Sequence, residues 1–159
     1  AGEETGRLKV PGDNDWYAAD LGTNSFGQGI ATTPIQMATA VSAIANGGVM
    51  MAPQIVRSVI NAGYQHNIEQ RMIGMPVKPE IAHTLSEMLA KSLETESSDA
   101  LVEGYRVAGK TGTAEIPTPF GYTSNATNAS FVGWGPVDDP QFLVYVWLEK
   151  PQSSPWGSV

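Results

Sequence analysis

Residues 107–116 read VAGKTGTAEI, a run in which one lysine lies among glycines, threonines and apolar residues. We expect this run to form a strand. Because alternate side chains of a strand face opposite sides, Thr111 and Thr113 should share one face while Lys110 and Gly112 share the other. Two neighbouring hydroxyls can bind a carboxylate, and the lysine adds a positive field that favours the same anion. If this strand borders a cleft, its free N–H groups can pair with an extended peptide, so the sequence predicts a strand edge that holds a peptide-like acid.

Three strands are predicted in the last third of the sequence. The first strand is predicted over residues 105–116, and two more over 130–135 and 141–149. The five residues between the last two read PVDDP and favour a tight turn, so these strands should pair as an antiparallel hairpin. Residues 117–128 are rich in Pro, Gly, Thr and Asn, and we expect them to form an exposed loop.

The clearest helix signal lies over residues 33–46. Thr33 can cap this helix, Pro34 suits its first position, and Gln36 completes a capping box. Gly47 can take the left-handed conformation that ends a helix. The side chains predicted to form its buried face are Ile35, Ala38, Val41 and Ala45.

A second helix is predicted over residues 79–93, with His83 outside its buried stripe. The side chains expected on that stripe are Ile81, Leu85, Met88, Leu89 and Leu93. Residues 1–29 should be mostly irregular, and residues 49–70 should hold one or two short strands. Because helices come first and strands last, we predict one domain of the α+β class, an antiparallel sheet flanked by helices.

Composition excludes several classes of function. The 159 residues carry nine basic and sixteen acidic side chains, a net charge of −7, and no cluster of lysines and arginines. Nucleic acids and anionic membranes both require a basic face, so neither is expected as a partner. The sequence contains no cysteine. Disulfides, thiolate catalysis and cysteine-ligated zinc are therefore excluded.

Three further groups of residues resemble functional sites only superficially. His66 and His83 are the two histidines, and both are predicted to be solvated rather than to bind a metal. Asp138 and Asp139 stand in the PVDDP turn, where carboxylates usually shape the turn rather than transfer protons. The run from Gly27 to Gly29 lacks the third glycine and the preceding strand of a dinucleotide loop. We therefore predict neither a metal nor a cofactor.

The Lys-Thr-Gly triplet belongs to the motifs of penicillin-binding proteins and class A β-lactamases, but a triplet alone recurs by chance. Longer segments make the resemblance specific. SFGQGIATTPIQMATAVSAIANGG (25–48), VAGKTGTAE (107–115) and SFVGWGPVDDPQFLVYVWLEKP (130–151) resemble class B penicillin-binding proteins, in the order expected for that family. GEETGRL (2–8) is similar to a stretch that follows the family's second motif. The resemblance covers essentially all 159 residues.

This resemblance implies D,D-transpeptidation of peptidoglycan, with acyl transfer through a serine ester and β-lactams as covalent inhibitors. It implies that Lys110 steers the substrate carboxylate and polarises the hydroxyls of the second motif. Thr111 and Thr113 would bind the carboxylate, and the backbone N–H of Thr113 would be an oxyanion-hole donor. Gly112 would leave room for the helix that bears the nucleophile. The peptidoglycan stem peptide and β-lactams are the implied partners, at the extracytoplasmic face of the bacterial cell membrane.

Two of the family's three motifs are missing. No serine stands three residues before any of the five lysines, where the residues are Gly6, Met75, Met88, Val107 and Trp147. Ser-x-Asn is also absent, and the nearest matches are Ser97–Asp99 and Thr123–Asn125. We therefore expect residues 1–159 to be the C-terminal part of a transpeptidase domain, truncated at both ends. Its partner would be the N-terminal part of that domain, and the isolated chain should be inactive.

Two alternatives stay open. A β-lactamase or a β-lactam sensor of the same superfamily also uses Lys-Thr-Gly, and differs in how fast its acyl-enzyme is hydrolysed. A non-catalytic relative could keep the fold as a binding module. The sequence upstream of Ala1 would distinguish a non-catalytic module from an enzyme, because the absence of Ser-x-x-Lys there would exclude catalysis.

Overall fold

The computed structural model of the chain describes residues 4–96, 99–116 and 126–157. The helices in this part of the chain are α1 (Ala18–Ser25), α2 (Pro34–Ala45) and α3 (Pro79–Glu96). Its strands are β1 (Met50–Met51), β2 (Ser58–Asn61), β3 (Tyr64–Asn67), β4 (Met72–Gly74), β5 (Ala108–Glu115), β6 (Thr127–Gly135) and β7 (Phe142–Glu149). No helix in the described ranges combines the length and the apolar character that a membrane crossing requires. The α+β class is confirmed.

The last three strands form one sheet in the order β5-β6-β7. Ile116 N donates to Ala126 O over 3.1 Å, between the end of β5 and the start of β6, and Gln141 N donates to Gly135 O over 3.0 Å beside the turn between β6 and β7. Both neighbouring pairs are therefore antiparallel. The predicted sheet and hairpin are confirmed, although β5 begins three residues later than predicted and β6 three residues earlier.

The chain divides into two compact units. The first comprises Ala1–Met37, Gly109–Gly133 and Val144–Val159, and the second comprises Ala38–Ala108 and Trp134–Leu143. The predicted Lys-Thr-Gly site lies in the first unit.

The core of the second unit joins helix and strand residues. Ala90 of α3, Ala108 of β5, Trp134 of β6 and Val137 are all buried together. The partly buried residues packed against them are Val41, Ile44, Ala45, Leu89 and Leu143. Side chains from both α2 and α3 thus pack against strand residues, as the sequence predicted.

The buried stripe of α3 differs from the predicted one. Leu93 is buried as expected, with 1% of its surface exposed, but Ile81 is 50% exposed and Met88 is 63% exposed. The other buried α3 residues are small: Ala82, Ser86 and Ala90. Small side chains let a helix approach its neighbours closely, so the packed face follows residue size as well as hydrophobicity. The prediction was wrong for Ile81 and Met88.

Helix α2 has the ends that its sequence predicts. Thr33 N donates to Gln36 Oε1 over 2.9 Å, and Gln36 N donates to Thr33 Oγ1 over 3.3 Å, which together form the capping box. Gly47 takes a left-handed φ of 60°, as predicted for the stop. The buried residue of α2 is Ala43, whereas Ile35 is 53% exposed, so the predicted burial of Ile35 was wrong.

The first 29 residues are more regular than predicted, because they contain α1. Tyr17 N donates to Asp20 Oδ2 over 2.7 Å, so a carboxylate satisfies one of the free N–H groups at the start of the helix. Lys9 Nζ lies 3.2 Å from Asp20 Oδ1. The backbone hydrogen bond from Tyr17 and, secondarily, the contact with Lys9 lower the pKa of Asp20, although burial opposes the shift.

Residues 49–70 contain three short strands, β1, β2 and β3, where one or two were predicted, and β4 follows them. They form two antiparallel pairs, β1 with β4 and β2 with β3. In the second pair Val59 lies opposite His66, and Ala62 and Gly63 form the turn with φ values of 49° and 83°. Two consecutive residues with positive φ are typical of a tight hairpin turn. His66 is exposed on β3.

Candidate functional site

The predicted site lies on β5, which is an edge strand of the described sheet. Ile116 N bonds to β6 at Ala126, and Gly112 lies beside Ser130 of the same strand. In an antiparallel pair only alternate residues bond to the partner strand. The N–H and C=O groups of Thr111 and Thr113 therefore point away from β6, to the side on which the described residues place no further strand.

Lys110 is exposed, and its side chain bends along this edge. Its Nζ donates to the carbonyl oxygen of Thr111 over 3.1 Å and lies 3.4 Å from Thr111 Oγ1. Strand alternation sets the direction of each Cβ, but the four-carbon stem of lysine brings the ammonium back to the hydroxyl of its neighbour. Among the ion pairs of the described residues, none involves Lys110. Its charge is thus available to an anion at this edge.

The Thr113 hydroxyl is half-buried and already accepts one hydrogen bond. Gly157 N donates to Thr113 Oγ1 over 3.0 Å, although the two residues are 44 positions apart in the chain. This contact was not predictable, because no pattern in the sequence connects residues so far apart. Residues 154–157 therefore belong to the surroundings of the candidate site.

Gly112 lies so close to Ser130 of β6 that there is no room for a side chain at this position. A Cβ built on Gly112 would lie 2.6 Å from Ser130 Oγ, well inside normal contact. Gly109 has a similar constraint, because its Cβ would lie 2.8 Å from Val132 O. Both glycines thus allow close pairing of β5 with β6. Ser130 was not among the predicted site residues.

Arg106, two residues before β5, makes the most extensive ion-pair network of the second unit. Its Nη1 and Nη2 each lie 2.9 Å from a carboxylate oxygen of Glu87, and its Nε lies 3.2 Å from Glu94 Oε1. The hydrogen bonds from Arg106 lower the pKa of Glu87, and those to Glu87 and then Glu94 raise the pKa of Arg106. The sequence feature that indicates this network is the spacing of seven residues between Glu87 and Glu94, which places both carboxylates on the same face of α3.

The remaining candidates keep their structural interpretations. His83 is exposed on α3, and Asp138 and Asp139 are exposed in the turn before β7. Gly27 and Gly29 follow a helix rather than a strand. The described residues contain no group of three or more His, Asp or Glu side chains placed to hold a metal ion. The two nearest matches to the Ser-x-Asn motif lie wholly or mostly outside the described residues: Thr123–Asn125 wholly, and Ser97–Asp99 except for Asp99.

Comparison with known proteins assigns a family. Residues 1–159 match the family described as the penicillin binding protein transpeptidase domain. Stage V sporulation protein D of Bacillus subtilis is 36% identical over 139 residues, which is 83% of this chain and 21% of that protein. Penicillin-binding protein PbpB of Mycolicibacterium smegmatis is 33% identical over 168 residues, which is 99% of this chain and 26% of that protein. The chain therefore spans about a quarter of the length of these relatives.

Solved structures agree with the sequence matches. Penicillin binding protein 3 of Mycobacterium tuberculosis superimposes with a TM-score of 0.87 at 28% identity, covering 99% of this chain and 37% of that one. The same protein has been solved in complex with ampicillin, again with a TM-score of 0.87. Penicillin binding protein 2X of Streptococcus thermophilus superimposes with a TM-score of 0.83 at 29% identity, covering 97% of this chain and 24% of that one. The chain belongs to the penicillin-binding protein transpeptidase family.

Proposed function

We propose that this chain is the part of a peptidoglycan D,D-transpeptidase domain that binds the carboxylate of the substrate. The observation that carries the proposal is the open edge of β5, where Lys110 Nζ lies beside Thr111 and the backbone groups of Thr113 point outward. An extended peptide can add to such an edge through main-chain hydrogen bonds. Membership of the family makes a peptidoglycan stem peptide or a β-lactam the expected ligand.

Each residue of the edge has a distinct task in this proposal. Lys110 supplies the positive field, and the hydroxyls of Thr111 and Thr113 donate to the carboxylate. The Thr113 N–H stabilises the oxyanion that develops when the serine nucleophile attacks the carbonyl, a contribution of about 3–4 kcal/mol for one such donor. Gly112 keeps β5 close to β6, which holds the neighbouring donors in register.

The names of relatives support the substrate class. One relative, of Mycolicibacterium smegmatis, is named peptidoglycan D,D-transpeptidase PbpA and is 31% identical over 135 residues. The complexes of the Mycobacterium tuberculosis protein with ampicillin and aztreonam support β-lactams as ligands of the family fold. By the same reasoning we propose that the protein acts on the extracytoplasmic face of the bacterial cell membrane.

The chain is proposed to be inactive by itself. Catalysis requires a serine activated by a nearby base, and the 159 residues contain no Ser-x-x-Lys. The nucleophile would then come from the N-terminal part of the transpeptidase domain. Two alternatives are a β-lactamase or β-lactam sensor, and a non-catalytic binding module.

One experiment separates these functions in the complete gene product. The protein is incubated with benzylpenicillin, the covalent adduct is followed by intact-protein mass spectrometry, and cross-linking of stem peptides is assayed in parallel. A transpeptidase forms an adduct that persists for hours and cross-links peptides. Release of the adduct within seconds would indicate a β-lactamase, and a stable adduct without cross-linking would indicate a sensor. Absence of both adduct and cross-linking would indicate a non-catalytic module.

A further inference from the structure

Gly157 lies directly against the strands of the candidate site. Its N–H donates to Thr113 Oγ1 over 3.0 Å. A Cβ at position 157 would lie 2.7 Å from the carbonyl oxygen of Ser130 and 3.0 Å from its nitrogen, and would overlap the carbonyl oxygen of Gly112. All three are backbone atoms of the β5–β6 pair, so no side-chain rotation can make room. Only glycine lets this segment approach closely enough to reach Thr113.

A second contact holds the same segment. Thr127 Oγ1 donates to the carbonyl oxygen of Pro155 over 2.6 Å. Lys150 N also donates to Thr127 O over 2.9 Å, so Thr127 fixes the chain both where β7 ends and two residues before Gly157. The N–H of Gly157 is thus held in place by the contacts that Lys150 and Pro155, both earlier in the chain, make with Thr127. All of these residues belong to the first compact unit.

The hydrogen bond has a consequence for the direction of the Thr113 hydroxyl. A threonine hydroxyl has one proton to donate and two lone pairs that accept. The N–H of Gly157 occupies a lone pair, and none of the described residues accepts the proton of this hydroxyl. Among the residues that the structure describes, the proton is therefore left to donate, and a hydroxyl that accepts one hydrogen bond is polarised to donate a stronger one.

We propose that Gly157 is a positioning residue of the carboxylate-binding edge, whose N–H orients the Thr113 hydroxyl as a donor to the carboxylate of the stem peptide or β-lactam. This inference rests on the proposed function. It adds a residue outside the Lys-Thr-Gly motif that controls how strongly the motif binds its anion. In this proposal Gly157 acts through the Thr113 hydroxyl and not by contact with the substrate.

The test uses the complete gene product and the second-order rate constant of acylation by benzylpenicillin. Gly157→Ala should slow acylation about fivefold to tenfold, the scale of one net hydrogen bond. Gly22→Ala is the matched control, because a Cβ at that helical position would meet nothing within 4 Å. Thr127→Val loosens the segment without adding an atom near β5 and should slow acylation by a smaller factor. It keeps the test valid if Gly157→Ala fails to fold.

A double-mutant cycle separates orientation of the hydroxyl from general damage to the strand. In a Thr113→Val background, where there is no hydroxyl to orient, Gly157→Ala and Thr127→Val should change the rate by less than about twofold. In a Thr113→Ser background their effect should persist. The methyl ester of benzylpenicillin lacks the anion, so its slower acylation should be insensitive to Thr127→Val.

The outcomes distinguish this inference from the proposed function. If the wild type is acylated but Gly157→Ala and Thr127→Val match it, the inference fails while the proposed function stands. Equal slowing in the Thr113→Val background would also overturn it, because the effect would then be structural. If neither the wild type nor Gly22→Ala is acylated, the proposed function fails and the inference fails with it.

Discussion

Because β5 lies close to β6 at Gly112, we expect the substitution Gly112→Ala to destabilise the protein. In Gly112→Ala the new Cβ would lie 2.6 Å from Ser130 Oγ, about 1 Å inside an ordinary contact. Overpacking of this size destabilises a protein by about 1–3 kcal/mol, and rotation of the Ser130 hydroxyl favours the lower half of that range. The new Cβ would lie 4.0 Å from Ser130 Cβ, which is an ordinary contact. Ser130→Ala should therefore rescue the stability lost in Gly112→Ala.

The assay compares thermal unfolding midpoints and benzylpenicillin acylation rates of the two single variants and the double variant, all in the complete gene product. Gly74→Ala is the control, because this strand glycine has open space around its Cβ position. The double variant should regain the wild-type midpoint. If its acylation stays slow, Gly112 also makes room for the nucleophile helix, as the family resemblance implies. A double variant as unstable as Gly112→Ala would refute the assignment of the clash to Ser130.

Other perturbations should give the following results. Lys110→Ala in the complete gene product should slow acylation by a β-lactam at least about a hundredfold, the scale of one preorganised charged contact; a wild-type rate in a folded variant would contradict the site assignment. Thr111→Val should have a milder effect, because one neutral hydrogen bond is lost. The isolated 159-residue chain should show no mass increase with excess benzylpenicillin, and a stable adduct would reveal an unrecognised nucleophile. Because Arg106 lowers the pKa of Glu87 below its ordinary 4.5, the Glu87 carboxylate stabilises the fold above about pH 4.5, and this contribution is lost as the pH falls through the lowered value. The thermal midpoint of Glu87→Gln should therefore lie below that of the wild type at pH 7 and approach it at acid pH; an unchanged difference at acid pH would exclude this ion pair as the cause.

Features with local signals were predictable from the sequence. The start of α2 follows from Thr33 and Gln36, three residues apart, whose side chains bond to each other's backbone. The turn between β6 and β7 follows from the PVDDP segment. Both features depend on residues that are close together in the chain, so the interactions that stabilise them do not require tertiary contacts.

Features with distant partners were not predictable. The start of α1 depends on Asp20, which is held by Lys9 eleven residues earlier. The buried stripe of α3 runs through Ala82, Ser86 and Ala90 because close packing selects small residues, whereas the periodicity of large apolar residues pointed to Ile81 and Met88.

The candidate site also contains features that were predictable from the sequence and features that were not. The Lys-Thr-Gly motif on β5 was recognisable from the sequence, whereas the position of β5 at an edge is given by the strand order of the structure. The contact of Gly157 with Thr113 joins residues 44 positions apart, and no pattern in the sequence connects them. The clash that requires glycine at position 112 involves Ser130, which strand pairing alone brings into contact.

A crystal structure of the complete gene product acylated by benzylpenicillin would show whether the open edge of β5 binds the carboxylate of the acyl donor. We expect the drug's carboxylate to lie about 3 Å from the hydroxyls of Thr111 and Thr113, near Lys110 Nζ, and the acyl carbonyl oxygen to accept from Thr113 N–H at a similar distance. A drug carboxylate bound elsewhere, with the edge of β5 unoccupied, would show that this edge is not the carboxylate-binding site.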